Sequence, residues 1–193
     1  MPNGKLVLII GPSGVGKSVI LKKLRTAHPA LHFPRSATTR ARRAGEGDDL
    51  YQFVTDDEFD HLLDQKEILE WAVVHAGARY GTLKNEIIPY IEKGVTVVRE
   101  VDVQGFVSIR NNPLFSGPVS PYKLVSVFIL PESKEQLIAH ITKRAPIEGE
   151  ELQRRLSSME KELAYSAHCD AQIINKEGKL QETLATVEKI VLS

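Results

Sequence analysis

The apolar run Lys5-Leu-Val-Leu-Ile-Ile10 passes directly into Gly11-Pro-Ser-Gly-Val-Gly-Lys-Ser18. Those eight residues fit the pattern G-x-x-x-x-G-K-[ST]. The segment after them, 18 to about 28, sets Ile20, Leu21 and Leu24 on one helical face before Pro29. A glycine-rich turn between a buried strand and an amphipathic helix is the context that gives this pattern its meaning. The glycines let the backbone close around an anion with successive N–H groups pointing inward. The helix N-terminus aims its positive end at the same place. Lys17 would reach the terminal phosphates of a nucleoside triphosphate, and Ser18 would offer its hydroxyl to a magnesium ion. The other reading, an ordinary glycine-rich turn, is disfavoured by the position between strand and helix.

The remaining pattern extends the same architecture. Strands are expected at 51–54, 68–74, 95–98 with 101–103, 124–130 and 171–174. Helices are expected after Thr55, whose partner three residues on is Glu58, at 84–93 with a late start or kink at Pro89, and from Ser133 to about Arg144. Two more are expected from about Glu150 and at 180–192. The stripe Leu152, Leu156, Met159 and Leu163 reads as core rather than as a binding face. Residues 35–49 are polar and arginine-rich, 77–81 read as a turn, and 111–123 as a loop. Strands alternating with helices predict an α/β fold with a parallel-sheet core and ligands at the carboxyl ends of its strands.

At 193 residues the chain is long enough for one compact unit with small subdomains. Its 25 basic and 25 acidic residues balance, so no global field recruits nucleic acid or an anionic membrane, and local clusters must do any anion binding. The single cysteine, Cys169, forbids an internal disulfide and fits a reducing compartment; it reads as a small buried residue without a role. No signal peptide, membrane span or C-terminal sorting tripeptide is evident, which makes the cytoplasm the default expectation. No obligatory protein partner is evident either.

A second block, Ser36-Ala-Thr-Thr-Arg40-Ala-Arg-Arg43-Ala-Gly-Glu46 followed by Tyr51 and Phe53, pairs forked guanidinium donors with phenolic hydroxyls. A second, mobile phosphate needs such a set, although an arginine run can also be a solvated loop. Glu70-Trp-Ala and, ten residues after Glu70, Tyr80-Gly-Thr82 complete it.

With these blocks, Asp102-Val-Gln-Gly105 and the arginines of the later helices, almost the whole chain resembles guanylate kinase, the P-loop enzyme of the nucleoside monophosphate kinase family that phosphorylates GMP with ATP. The resemblance implies that residues 11–18 (Gly11, Pro12, Ser13, Gly14, Val15, Gly16, Lys17 and Ser18) bind ATP, with Asn175 near the adenine. It implies that Arg40, Arg43, Tyr51 and Tyr80 hold the GMP phosphate, and that Ser36, Glu70 and Thr82 read the guanine. A carboxylate can accept from both the ring N–H and the exocyclic amine of guanine, a donor pair that adenine lacks. Asp102 would help bind GMP, and Asp102 or Glu100 would order water on a magnesium ion held by Ser18. Lys17, Arg43, Arg144 and Arg155 would carry the catalytic charge. The implied parts are a core at 1–35, 88–131 and 160–193, an inserted GMP-binding subdomain at 36–87 and a helical lid at 132–159.

The chain departs from the family at Glu100, where aspartate is common, at Arg99, where an apolar residue is common, and at His140, where arginine is frequent. It has one residue fewer between Glu46 and Tyr51, one more between Glu70 and Tyr80, and a longer loop at 111–123. Two other readings stand beside a GMP kinase. One is a catalytically inactive interaction module of the same fold, which an intact phosphate loop disfavours. The other is a kinase for another phosphorylated acceptor such as a sugar phosphate, which the guanine-reading set disfavours.

Overall fold

Six consecutive residues, Lys5–Ile10, are buried along strand β1, so this strand is wrapped on both faces as a central parallel-type strand must be. It is part of a computed structural model that describes residues 4–73, 77–144 and 149–193. The other strands of its sheet are β6 (Val97–Glu100), β7 (Lys123–Pro131) and β8 (Ala171–Asn175), in the order β6-β1-β7-β8. Strands β7 and β8 run parallel, with Val127 opposite Ala171 and Pro131 opposite Asn175. A second sheet has the order β3-β2-β5-β4, from β2 (Ser36–Thr38), β3 (Tyr51–Phe53), β4 (Ile68–Val73) and β5 (Arg79–Leu83).

The chain divides into two compact units. One comprises Met1–Leu6, Ala30–Arg99 and Gln104–Leu124; the other comprises Val7–Pro29, Glu100–Val103 and Val125–Ser193.

In the first unit the second sheet has one apolar and one polar face, and helix α2 (Asp56–Asp64) explains why. Thr55 and Glu58 close a full capping box at its start: the Thr55 hydroxyl accepts from the Glu58 N–H at 3.2 Å, and the Thr55 N–H donates back to Glu58 at 2.7 Å. The helix then buries Phe59 completely against Ala37 and Leu83, with Val54, Leu62, Leu63 and Ile68 around them. Side chains alternate along a strand, so Ala37 facing inward turns Ser36 and Thr38 to the opposite face. The same unit holds the single-turn start Lys84–Glu86, helix α3 (Ile88–Glu92) with Pro89 in its first turn, and most of helix α4 (Val103–Arg110).

The second unit holds α1 (Lys17–Ala27), α5 (Lys134–Arg144), α6 (Glu150–Ala164) and α7 (Leu180–Leu192). Helix α7 buries Leu184, Val187 and Val191, and α1 buries Ile20 and Leu24. His28, at the end of α1, lies 3.0 Å from Glu188 of α7.

Several sequence expectations need correction. The arginine-rich stretch contains β2, whose Ala37 and Thr38 are wholly buried; a residue as small as Ala37 suffices on the inner face because Phe59 fills the space behind it. The turn expected at 77–81 gives way to β5 from Arg79, where Gly81 pairs with both Ala37 and Trp71. Val103 starts a helix rather than ending a strand: Val103, Phe106 and Ile109 are buried at helical spacing. Val74 lies outside the described residues. Cys169 is half-buried rather than buried.

Candidate active site

The phosphate loop lies in the second unit, and its geometry follows from its glycines. Gly11 has φ 148° and Gly16 φ 100°, both in the region that side chains avoid. A Cβ on Gly11 would stand 2.5 Å from the Ile129 carbonyl oxygen, and one on Gly16 2.8 Å from the Asn175 amide nitrogen. Both positions therefore exclude a side chain twice over, by conformation and by space. Gly16 leads straight into α1, so the loop ends at the positive N-terminus of that helix.

Lys17 folds back over this loop. Its ammonium donates to the carbonyls of Gly11 (2.6 Å) and Pro12 (3.1 Å) and lies 3.6 Å from a Glu100 oxygen. Burial lowers its pKa, while the charges of Glu100, Glu162 and Asp102 pull the other way. The Ser18 hydroxyl donates to the other oxygen of Glu100 at 3.2 Å. Glu162, on α6, is a member of this charge cluster that the sequence did not single out. Burial raises its pKa, against the Ser158 hydroxyl and Lys17, which lower it.

Beside the loop opens a cavity of about 470 Å³ lined by Gly14, Gly16, Lys17, Ser18, Asn175 and Gly178, with Gln136 and Leu180 also on its wall. Asn175 is committed on every side. Its amide nitrogen donates to the Val15 carbonyl at 2.9 Å, its amide oxygen accepts from Thr183 at 3.0 Å, and its backbone carbonyl accepts from Gln136 at 3.2 Å.

In the first unit the polar face of the second sheet carries the other constellation. Ser36 is directly opposite Thr82 in the β2–β5 pair, and Glu70 directly opposite Thr82 in the β4–β5 pair. The three side chains thus form one row across three strands. A bulge between Ile68 and Glu70 makes this possible, since Ile68 pairs with Leu83 and Glu70 with the adjacent Thr82. Without the extra residue, Ile68 and Glu70 would share a face; with it, Ile68 packs into the core and Glu70 joins the polar row. The Thr82 hydroxyl donates to Glu70 Oε1.

One strand step away, Tyr80 is opposite Thr38 and its hydroxyl accepts from Arg40 Nε at 3.0 Å. The Arg40 fork grips Glu46 with both terminal nitrogens, at 3.0 and 2.7 Å, and its plane lies over Tyr51 (5.3 Å) and Phe53 (5.4 Å). Tyr51 meets Tyr80 edge-on, with centroids 5.8 Å apart. The Arg40 guanidinium, helped by the Arg43 N–H, holds the Glu46 carboxyl down to about 2. Arg43 itself is exposed and donates its N–H to Glu46 at 3.0 Å.

The structure therefore brings together Ser36, Glu70 and Thr82 as one set, Arg40, Tyr51 and Tyr80 as a second, and Lys17, Ser18 and Glu100 as a third. Asp102 falls between β6 and α4 in the phosphate-loop unit, where its charge acts on Lys17. Arg144 ends α5 and Arg155 lies within α6; their side chains, like that of His140, lie outside the described residues.

The family model for guanylate kinase matches residues 3–193. The guanylate kinase of Prochlorococcus marinus subsp. pastoris is 40% identical over 190 residues, covering 98% of this chain and 97% of that protein. That of Gloeobacter violaceus is 37% identical over 191 residues, covering 98% and 88%. The crystal structure of guanylate kinase from Anaplasma phagocytophilum superimposes with a TM-score of 0.68 at 26% identity, over all of this chain and 86% of that one. The protein belongs to the guanylate kinase family.

Proposed function

We propose that the protein transfers the terminal phosphoryl group of ATP to the phosphate of GMP, forming ADP and GDP in purine nucleotide metabolism. One observation carries the reading. A hydroxyl–hydroxyl–carboxylate row suited to a guanine edge and an arginine–tyrosine clamp suited to a phosphate share one sheet face, one strand step apart. A nucleoside monophosphate presents those two ends to a protein. Ser36, Glu70 and Thr82 would read the base, and Arg40, Arg43, Tyr51 and Tyr80 would hold the phosphate, with Asp102 assisting. The phosphate loop would cradle ATP, whose adenine would enter the cavity bounded by Asn175 and Gly178.

Residues 36–87 would act as the GMP-binding insert and 132–159 as the lid. Arg144 and Arg155 of that lid would join Lys17 and Arg43 in neutralising charge on the migrating group. In-line transfer of this kind is catalysed by positioning and electrostatics, without a covalent intermediate. Ser18 and Glu100 present a hydroxyl and a carboxylate 3.2 Å apart, a hard oxygen pair that fits magnesium. Among the described residues no group of three or more His, Cys, Asp or Glu could hold a metal. When bound, magnesium would supply charge neutralisation at the donor phosphates, with Asp102 or Glu100 ordering its water.

Among the described residues no helix is long and apolar enough to cross a membrane. The single cysteine fits a reducing compartment, and we assign the reaction to the cytoplasm.

The test is a steady-state comparison of GMP, AMP and a sugar bisphosphate as acceptors with ATP and magnesium. GMP should exceed AMP in kcat/KM by roughly four to five decades, since a site built on hydrogen bonds to a base leaves its own polar groups unpaired with the wrong one. Comparable use of AMP or the sugar bisphosphate would overturn the reading.

A further inference from the structure

The base-reading row has a fourth, charged member. Arg99, on β6, is buried to the same degree as Glu70, each about 10% exposed, and its guanidinium stands between two residues of the row. It donates to Ser36 Oγ at 3.2 Å and lies 3.5 Å from Glu70 Oε1, the oxygen that also accepts from Thr82. All four residues belong to the same compact unit.

The hydrogen-bond inventory gives this placement a consequence. A serine hydroxyl has one hydrogen and two lone pairs. With Arg99 donating into one lone pair, the hydrogen of Ser36 points away from the guanidinium, which leaves it available to donate toward whatever the row faces. Glu70, whose Oε1 accepts from Thr82 and faces the Arg99 charge at 3.5 Å, presents a carboxylate to the same side. The row thus presents a donor at one end and a carboxylate at the other, with a permanent positive charge behind both. A purine with a 6-oxo group and an adjacent ring N–H matches that order. A 6-amino purine sets a donor against a donor and an acceptor against a carboxylate.

We infer that Arg99 is a specificity-determining residue for the acceptor base: it leaves Ser36 to donate, faces the Glu70 carboxylate with its charge and selects 6-oxo over 6-amino purines. The inference rests on the proposal that Ser36, Glu70 and Thr82 face the guanine.

The experiment compares wild type, Arg99→Leu and Arg99→Gln, with GMP, IMP and AMP as acceptors at saturating ATP and magnesium. IMP keeps the 6-oxo group and the ring N–H but lacks the 2-amino group. Arg99→Leu should raise KM for GMP and for IMP by the same factor, about 10- to 100-fold for one lost charge-assisted contact. Its kcat should fall much less, its KM for ATP should stay within about twofold, and its preference for GMP over AMP should shrink by the KM factor. Arg99→Gln, nearer in shape and still hydrogen-bonding, should shift the same ratios by a smaller factor; it decides the matter if the leucine variant does not fold. Unchanged ratios, equal losses for GMP and AMP, or a matching rise in the KM for ATP would make Arg99 a structural prop and overturn the inference. A wild type that ignores GMP would overturn the kinase reading instead.

Discussion

Lys17 is half-buried over the phosphate loop, and at the scale of single residues its position is informative. Its ammonium donates to the Gly11 and Pro12 carbonyls and has Glu100 as a counter-charge at 3.6 Å. Burial already taxes the charge, so a polyphosphate arriving in the loop meets a cation that has lost much of its hydration. Lys17→Ala should lower kcat about 10²- to 10³-fold, the usual cost of removing one preorganised donor to developing negative charge. A variant that keeps more than about a tenth of wild-type turnover would remove Lys17 from the chemistry.

Glu46 sets a second test at this scale. Its folded carboxyl titrates at about 2 because Arg40 and the Arg43 N–H favour the charged form. A depressed carboxyl contributes stability above its unfolded value and loses it as pH falls toward the folded one. The wild-type thermal midpoint should therefore exceed that of Glu46→Gln at pH 7, and the gap should narrow between about pH 4.5 and 2. Freed of its anchor, Arg40 should also hold the acceptor less well, so the variant's KM for GMP should rise several-fold. A midpoint gap that stays constant down to pH 3 would mean that the Arg40–Glu46 fork does not order the segment.

Elements were legible where their signals are local. The strand-to-helix seam at the phosphate loop, the capping box at Thr55 and the span of α7 all stand in the structure as the pattern predicts, because each is set by residues within one turn of itself. The short strands β2 and β5 were not legible, because what makes them strands is α2 packing behind them. Neither has an apolar pattern until Phe59 supplies the other half of the core. The same dependence makes α2 a lever on the site. Phe59→Ala empties the centre of that core and should cost about 3–5 kcal/mol of unfolding free energy in denaturant titrations. It should also loosen the row of Ser36, Thr82 and Glu70 carried on the opposite face. Affinity for GMP should fall while affinity for an ATP analogue holds, since the core residues packed on Phe59 all belong to the first unit. Equal losses of the two nucleotides would show that the sheet is not held by its helix alone.

Across the whole molecule, the two proposed nucleotide sites fall in different compact units: the Arg40–Tyr80 pair and the Ser36, Thr82, Glu70 row in one, the phosphate loop and its cavity in the other. That division explains which site residues could be seen in the sequence. Loop glycines and the Lys17–Ser18 pair sit together in a string, and Glu70 and Tyr80 were found by their place in a resemblance. Arg99 and Glu162 act through contacts across strands or helices far apart in the chain; Arg99 stands out in sequence only as a departure from the family, and Glu162 not at all. A chain with balanced charge must also bring its anions in by local clusters, and each unit has its own. Each nucleotide should consequently protect its own unit. In hydrogen exchange, GMP alone should slow amides at 36–53 and 79–83, and an ATP analogue alone should slow those at 11–18 and 175–178. At about 100 times its dissociation constant either ligand adds roughly 2.7 kcal/mol, which for a chain of this size raises the thermal midpoint by about 5–10 °C. GMP that protected residues 11–18 and left 36–53 unchanged would place the acceptor in the wrong unit, and with it the assignment of Ser36, Glu70 and Thr82 to the guanine would fall.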